Sequence, residues 1–550
     1  MIDQSTSPPR TDRRRFLRIA GAATVVGVAA ACDSGNDNTP APTSSAPGSS
    51  SSAPTTPPAT TPPTTTPAPT TPSPSPTTPQ VRPADYTALG KGLKGELIQP
   101  GSSSYPTAKQ IFNPRFDSIS PTAVIQCAGP EDVAEAVRFV AKFQLPVALR
   151  SGGHCYAGWS VGHGLVIDTG PMSQVRASGG SATAQAGARL IDVYSTLANA
   201  GVGIPGGSCP SVGITGLALG GGIGVVDRAW GLTCDNVTAV EIVTADGQVH
   251  TCTARHDADL FWACRGGGGG NFGVVTGLTF KTRPTQPLAT WYLSWPWSAA
   301  PAILAAWQKW LPGAPNELWG SVHLASAPGS ATPSVSVVGT FLGADTTALN
   351  KQLDGLVAAV GSEPGSRSAA PHEFLQTMLT EAGCASKSLE ECHLAPTGSI
   401  ERQAYAASSD WINTPMSAAG NQTLIAAVQK RHDTPNAPDV AVQLDAAGGA
   451  INRVAPNATA FVHRRAICSV QYIANWYTAS PPADVTAWPH ATRTAMQRYV
   501  SGEAYQNYVD PAIRDWQRAY YGANYAKLQQ VKAKYDPHNV FHHAQSVTAR

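Results

Sequence analysis

Residues 150–160, RSGGHCYAGWS, set a glycine pair directly before a histidine and a cysteine. A histidine so placed is a loop residue, a metal ligand or a nucleophile, and the flanking sequence has to decide. Upstream, TAVIQCAGPEDVAEAVRFVAKFQLPVAL (122–149) reads as strand, helix, strand. Residues 123–127 are short and apolar, Glu131 and Asp132 suit the positive end of a helix, and Val133, Ala136, Val137 and Val140 recur at helical spacing. The glycine turn then falls at the carboxyl end of a strand, where open α/β sheets bind ligands.

The pattern repeats downstream. SATAQAGARLIDVYSTLANAGVGIPGGSCPSVG (181–213) places a strand near Thr183 and a helix through Leu190, Tyr194 and Leu197 that stops at Gly201. A second glycine turn, Gly206 and Gly207, leads to Cys209. In GITGLALGGGIG (213–224) the glycines are interleaved with Ile214, Leu217 and Leu219, which marks closely packed backbone and not a linker. Backbone N–H groups in glycine turns form anion nests, so a pyrophosphate is the natural occupant. The spacing is not that of GxGxxG, which disfavours a nicotinamide enzyme. VTAVEIVTADGQVHT (237–251) is a hairpin turning at Asp246 and Gly247, and DLFWACRGGGGGNFGVVTGLTFKT (259–282) is a third glycine loop entering a strand.

The chain ends are different in kind. Arg13, Arg14, Phe16 and Leu17 precede an apolar run from Ile19 to Ala31, shorter than the roughly 20 residues of a membrane span. Residues 1–31 thus resemble a twin-arginine export signal, implying an extracellular or envelope-attached protein. Two alternatives stay open at Cys32: cleavage before it, or lipidation that attaches the protein to a membrane. Residues 32–84 are dominated by Ser, Thr, Pro and Ala and read as a disordered linker whose proline-dense part reaches on the order of 140 Å.

A net charge of +2 gives no electrostatic case for nucleic acid. None of the ten cysteines falls in a CxxC pair; Cys384 with Cys392, and Cys252 with Cys264, are close enough for short disulfide loops. His538, His542 and His543 lack a cysteine or carboxylate at ligand spacing, so they read as a solvated turn and no metal is expected. Residues 285–500 shift to strands such as TWYLSWPW, SVSVVGTFLG, DVAVQLDAAGGAI and AICSVQYIANW, with a helix over 302–311, and suggest an antiparallel sheet with helices. Trp291, Trp295, Trp476 and Tyr477 are its candidate stacking aromatics, with core packing the plainer role for most.

Together RSGGHCYAGWS, GGSCPSVGITGLALGGGIGVVDRAWGLTCDN (206–236), DLFWACRGGGGGNFGVVT (259–276) and YYGANYAKLQQVKAKYDPHNVFHHAQSV (520–547) resemble the berberine bridge enzyme-like flavoprotein oxidases. The likeness covers roughly residues 90–547. It implies an α+β fold: a two-part FAD-binding domain of the vanillyl-alcohol-oxidase type (85–284), an antiparallel substrate sheet flanked by helices (285–500), and a C-terminal segment (501–550) returning to the FAD domain.

The resemblance also implies the site. His154 would bond the 8α-methyl of FAD and Cys209 its C6, a chemistry open to a neutral imidazole and a thiolate. Around them the implied cofactor residues are Arg150, Ser151, Gly152, Gly153 and Gly158 in the first turn. The second supplies Gly206, Gly207, Val212, Gly213, Gly216, Gly220, Gly221, Gly222 and Gly224; further along are Asp235, Asn271, Val275, Asn539 and Gln545. Cys155 departs from relatives, which often carry a small residue there, and offers a disulfide half with Cys127 as partner. Val212 is the implied oxygen gate, consistent with O2 as electron acceptor.

In sugar-oxidising relatives a tyrosine of a YxxY pair is the base, aided by an aspartate; here these are Tyr508, Tyr505 and Asp445. Since like charges repel, Asp445 is expected to accept the Tyr508 hydrogen bond. The expected activity is oxidation of a carbohydrate hydroxyl, at the anomeric carbon, to a lactone with release of H2O2. Oxidation of a secondary-metabolite or phenolic alcohol, and a flavin-loaded glycan-binding wall protein without turnover, are the alternatives.

Overall fold

The computed structural model describes residues 80–434, 439–478 and 482–550. The expected export signal, Cys32 and nearly all of the linker lie outside the described residues. Residues 83 and 84, read as linker, are already the first turn of the helix Pro83–Gly92.

The first sheet joins β1 (Glu96–Ile98), β2 (Ala123–Gln126), β3 (Val147–Arg150) and β4 (Leu165–Asp168) in the order β1-β2-β4-β3. Strands β2, β4 and β3 are parallel. The β2–β3 crossover is the helix Pro130–Phe143, with Pro at its start and Val133, Ala136, Val137 and Val140 buried. Asp132 at its first turn accepts the backbone N–H groups of Lys94, Gly95 and Ala128 at 2.8, 2.9 and 2.8 Å, which fastens the entry to β1.

The second sheet takes β5 (Val175–Ser178) and β6 (Ser181–Gln185). After the two-residue β7 (Val202–Gly203) it takes β8 (Val237–Val243), β9 (Val249–Thr253) and β10 (Val274–Lys281), in the antiparallel order β5-β6-β10-β8-β9. Between β6 and β8 run the helices Leu190–Asn199 and Ile214–Leu219, with the Cys209 turn between them. That turn sits on the first helix: Leu190 and Ile191 donate their N–H to the carbonyls of Val212 and Pro210 at 3.0 and 3.1 Å.

Strand β11 (Arg283–Pro284), paired with β7, leads into a seven-stranded sheet. Its members are β12 (Leu288–Trp295), β13 (Leu318–Ser326), β14 (Ser334–Leu342), β15 (Ser366–His372), β16 (Ala404–Ile412), β17 (Val440–Ala446) and β18 (Cys468–Trp476), all antiparallel, in the order β15-β12-β14-β13-β17-β18-β16. The helices Ala300–Trp310, Thr346–Val360, Ala418–His432 and Ala483–Met496 accompany it. Register sets Asp445 opposite Ser321 and Gln443 opposite Gln471. Because strand side chains alternate, Gln443 and Asp445 share a face that Val442 and Leu444 do not.

The C-terminal helix Tyr525–Tyr535 packs on the helix Ala258–Ala263. Buried Lys532 donates to the Asn271 carbonyl at 2.8 Å and pairs with Asp536 at 2.7 Å, while Val547 N–H reaches Asn271 Oδ1 at 2.8 Å. These bonds close the chain back onto the glycine loop before β10. Among the described residues no helix is long and apolar enough to cross a membrane.

Cys384 and Cys392 form a disulfide. Cys252, Cys264, Cys127 and Cys155 do not. Cys252, Cys264 and Cys127 are buried thiols, and desolvation opposes their ionisation.

Candidate active site

The two glycine turns meet backbone to backbone. A Cβ on Gly152 would lie 2.2 Å from the Gly213 nitrogen, and one on Gly213 would lie 2.3 Å from Ser151 Oγ. Arg150 fastens the first turn from beneath: buried, it pairs with Asp168 at 2.9 Å and donates to the carbonyls of Ala108 and Gln110.

Above this contact opens a cavity of about 340 Å³ walled by the two turns, the glycine loop 268–270 and the seven-stranded sheet. Of the expected cofactor residues, Arg150, Ser151, Gly152, Gly153, His154, Gly207, Cys209, Val212, Gly213, Gly216, Gly224, Asn271, Val275 and Gln545 line it. The structure does not bring the others to its wall. Gly158 packs on Phe116, Gly206 on the Tyr194 hydroxyl, Gly220 on Asn507, Gly221 on Phe461 and Gly222 on Thr233, so these glycines serve close packing against protein. Asp235 is held by both guanidinium nitrogens of Arg464 at 2.7 Å. Asn539 occupies a left-handed turn, φ 54°, and its carbonyl faces His542.

His154 stacks on Phe112 at 3.9 Å, and its Nε2 is 3.0 Å from Ser211 Oγ. Burial, reinforced by the Arg189 guanidinium, pushes its imidazole down to about 3, so the ring is neutral. With Nε2 engaged, Nδ1 is the nitrogen left for bonding. Cys209 lines the same cavity and is not in a disulfide. A flavin dinucleotide fits this set: side-chain-free backbone where the turns meet, a neutral imidazole, and a cysteine on the opposing turn.

The tyrosines separate into two roles. The Tyr505 oxygen accepts the N–H groups of Gly222 and Ile223 at 2.9 and 3.3 Å and the Asn507 amide at 2.9 Å. Its oxygen is thus committed to the backbone of the glycine run and to Asn507, while the residue lines the cavity beside Tyr508. Tyr508 stacks on Tyr156, ring centres 5.2 Å apart, and meets Tyr505 edge-on at 4.9 Å. Burial, with Tyr156 and Asp445 nearby, holds its phenol well above the usual range. Asp445 Oδ1 accepts from Ser321 Oγ at 2.8 Å, not from Tyr508, because the strand register brings the serine opposite it.

Several wall residues escape sequence reading. Gln443, Gln471, Glu381, Trp319 and Tyr156 converge on the cavity, with Gln471 donating to the Tyr156 hydroxyl at 2.8 Å. His543, read as part of a solvated turn, also lines it and stacks on Trp159 at 4.2 Å; burial lowers its imidazole to about 4. Only the one-in-two spacing of Gln443 and Asp445 was a usable signal.

Comparison with known proteins agrees with this geometry. Residues 121–253 match the FAD binding domain family and residues 504–548 the berberine and berberine like family. The chain is 32% identical to the FAD-linked oxidoreductase YgaK of Bacillus subtilis, over 83% of this chain and 97% of that one. It is 31% identical to a chitooligosaccharide oxidase of Gibberella zeae, over 81% and 91%. Among solved structures, Physcomitrella patens BBE-like 1 superposes with a TM-score of 0.76 at 30% identity, covering 84% of this chain and 99% of that one.

Proposed function

Because the chain belongs to the berberine bridge enzyme-like family of FAD-linked oxidoreductases, we propose that it oxidises a saccharide hydroxyl, with FAD held by both His154 and Cys209. When bound, FAD supplies the two-electron acceptor and hands the electrons to O2, giving H2O2. The observation that carries the substrate class is the polar and aromatic part of the cavity lining. Gln443, Gln471, Asp445 and Glu381 offer amide and carboxyl groups to hydroxyls, while Tyr156, Tyr508 and Trp319 offer ring faces. The likeness to a chitooligosaccharide oxidase supports the same class.

Tyr508 takes the proton of the reacting hydroxyl. A phenol held above its usual range must lose its own proton in the same step, and Asp445 is the carboxylate in electrostatic reach to receive it. Ser321 orients that carboxylate. Oxidation at an anomeric carbon then yields a lactone. Export, and attachment through Cys32, belong to the same reading of an enzyme acting on oligosaccharides outside the cytoplasm.

An anaerobic panel of oligosaccharides and aromatic alcohols, read by bleaching of the flavin absorbance, tests the reading. Bleaching by saccharides supports it. Bleaching by aromatic alcohols alone assigns the cavity to phenolic substrates, and no bleaching removes the oxidase activity.

A further inference from the structure

The helix Phe374–Glu381 ends at the cavity, so its last residue sets a carboxyl into the wall. Glu381 is only 8% exposed and lines the cavity. Such a group is costly as an anion: it is desolvated, and the helix's last carbonyls lie beside it.

Among the described residues no cation acts on this carboxyl. The neighbouring helix Leu190–Asn199 carries Asp192, engaged by His393 at 2.9 Å, and Tyr194, bonded to the Gly207 carbonyl at 2.6 Å. Strand β12, also packed on this helix, carries Tyr292. From β17 Asp445 adds like charge. Burial first, then Asp445, push the Glu381 carboxyl up to about 7, and burial pushes Asp445 up to about 6. Below about pH 7 Glu381 therefore keeps a proton to donate.

We propose that Glu381, set into the cavity at the end of its helix together with Asp445, is a substrate-binding and specificity-determining residue: its carboxyl donates a hydrogen bond to one saccharide oxygen and accepts one from a neighbouring hydroxyl, selecting neutral over anionic sugars. The assignment rests on reading the cavity as a saccharide site. Glutamine at this position keeps a donor, an acceptor and the volume but does not titrate; leucine removes both bonds. Above about pH 7 the wild-type donor is lost and a second anion joins Asp445, so affinity for saccharide falls.

The test is calorimetric binding of an oligosaccharide, and of its uronic-acid counterpart, to the flavin-loaded full chain under anaerobic conditions from pH 6 to 8. Glu381→Leu and Glu381→Gln are run beside wild type, with KM and kcat for the best substrate. At pH 6 Glu381→Leu weakens binding by about tenfold or more, the net loss of its two hydrogen bonds, and acts on KM more than on kcat. Glu381→Gln binds like wild type at pH 6 and loses the decline toward pH 8. Undiminished binding by Glu381→Leu, or the same pH decline in Glu381→Gln, overturns the assignment. If saccharides bind with this pattern but never bleach the flavin, the oxidase reading fails and Glu381 stands; if wild type binds none, both fall.

Discussion

Gly152 and Gly213 touch through their backbones, and neither has room for a single methyl group. The contact joins the turn of His154 to the turn of Cys209, residues far apart in the chain, into one floor. Gly213→Ala or Gly152→Ala overpacks that floor, at a cost of about 1–3 kcal/mol or more. The expected outcome is a lower melting temperature together with a reduced ratio of flavin to protein absorbance. Full flavin loading in Gly213→Ala would show that the floor is not part of the cofactor cradle.

Attachment at two points has a direct signature. Flavin stays with the polypeptide after acid precipitation in wild type, His154→Ala and Cys209→Ala, and is released from the double variant. A neutral His154, pushed down to about 3, makes attachment through the imidazole insensitive to pH across the neutral range. Free FAD from denatured wild type would contradict the double tether.

Much of this site was legible because its chemistry is local in sequence. The turns at 150–154 and 206–213 carry their reactive residues beside the glycines that shape them, and the strand, helix, strand order sets the first of them at the end of β3. The far wall was not legible. Glu381, Gln443 and Gln471 come from a helix and two strands whose meeting depends on register and packing, and isolated polar residues in those segments look like any others. Glycine itself misled the reading at 220–222, since close approach to Asn507, Phe461 and Thr233 demands the same residue as a cofactor cradle. His543 was missed because its partner, Trp159, lies hundreds of residues upstream.

Asp445 makes a stability prediction with a definite sign. Burial raises its carboxyl from 3.8 to about 6, so the folded state holds the proton more tightly than the unfolded chain. The native state loses stability from this group as pH rises from about 3.8 to about 6, and the loss persists above. Asp445→Asn, which still accepts from Ser321, escapes it. The melting-temperature difference, variant minus wild type, should therefore grow across that window; a flat difference would mean the carboxyl is not desolvated.

Val212 lines the cavity three residues after Cys209, its carbonyl pinned by the Leu190 N–H at 3.0 Å. A packed wall tolerates little added volume. Val212→Leu should slow reoxidation of the reduced enzyme by aerated buffer while leaving anaerobic reduction by substrate unchanged. Equal reoxidation rates would take the oxygen gate away from this residue.

The account turns on Tyr508 as the group that takes the substrate proton, with Tyr505 fastened to the backbone and Asp445 oriented by Ser321. The most direct test is the single-turnover rate of flavin reduction by the best saccharide in wild type and Tyr508→Phe, mixed anaerobically. The account predicts intact flavin binding and a rate lower by roughly 10² or more in Tyr508→Phe, the usual scale for a general base. Reduction of Tyr508→Phe at the wild-type rate would contradict it.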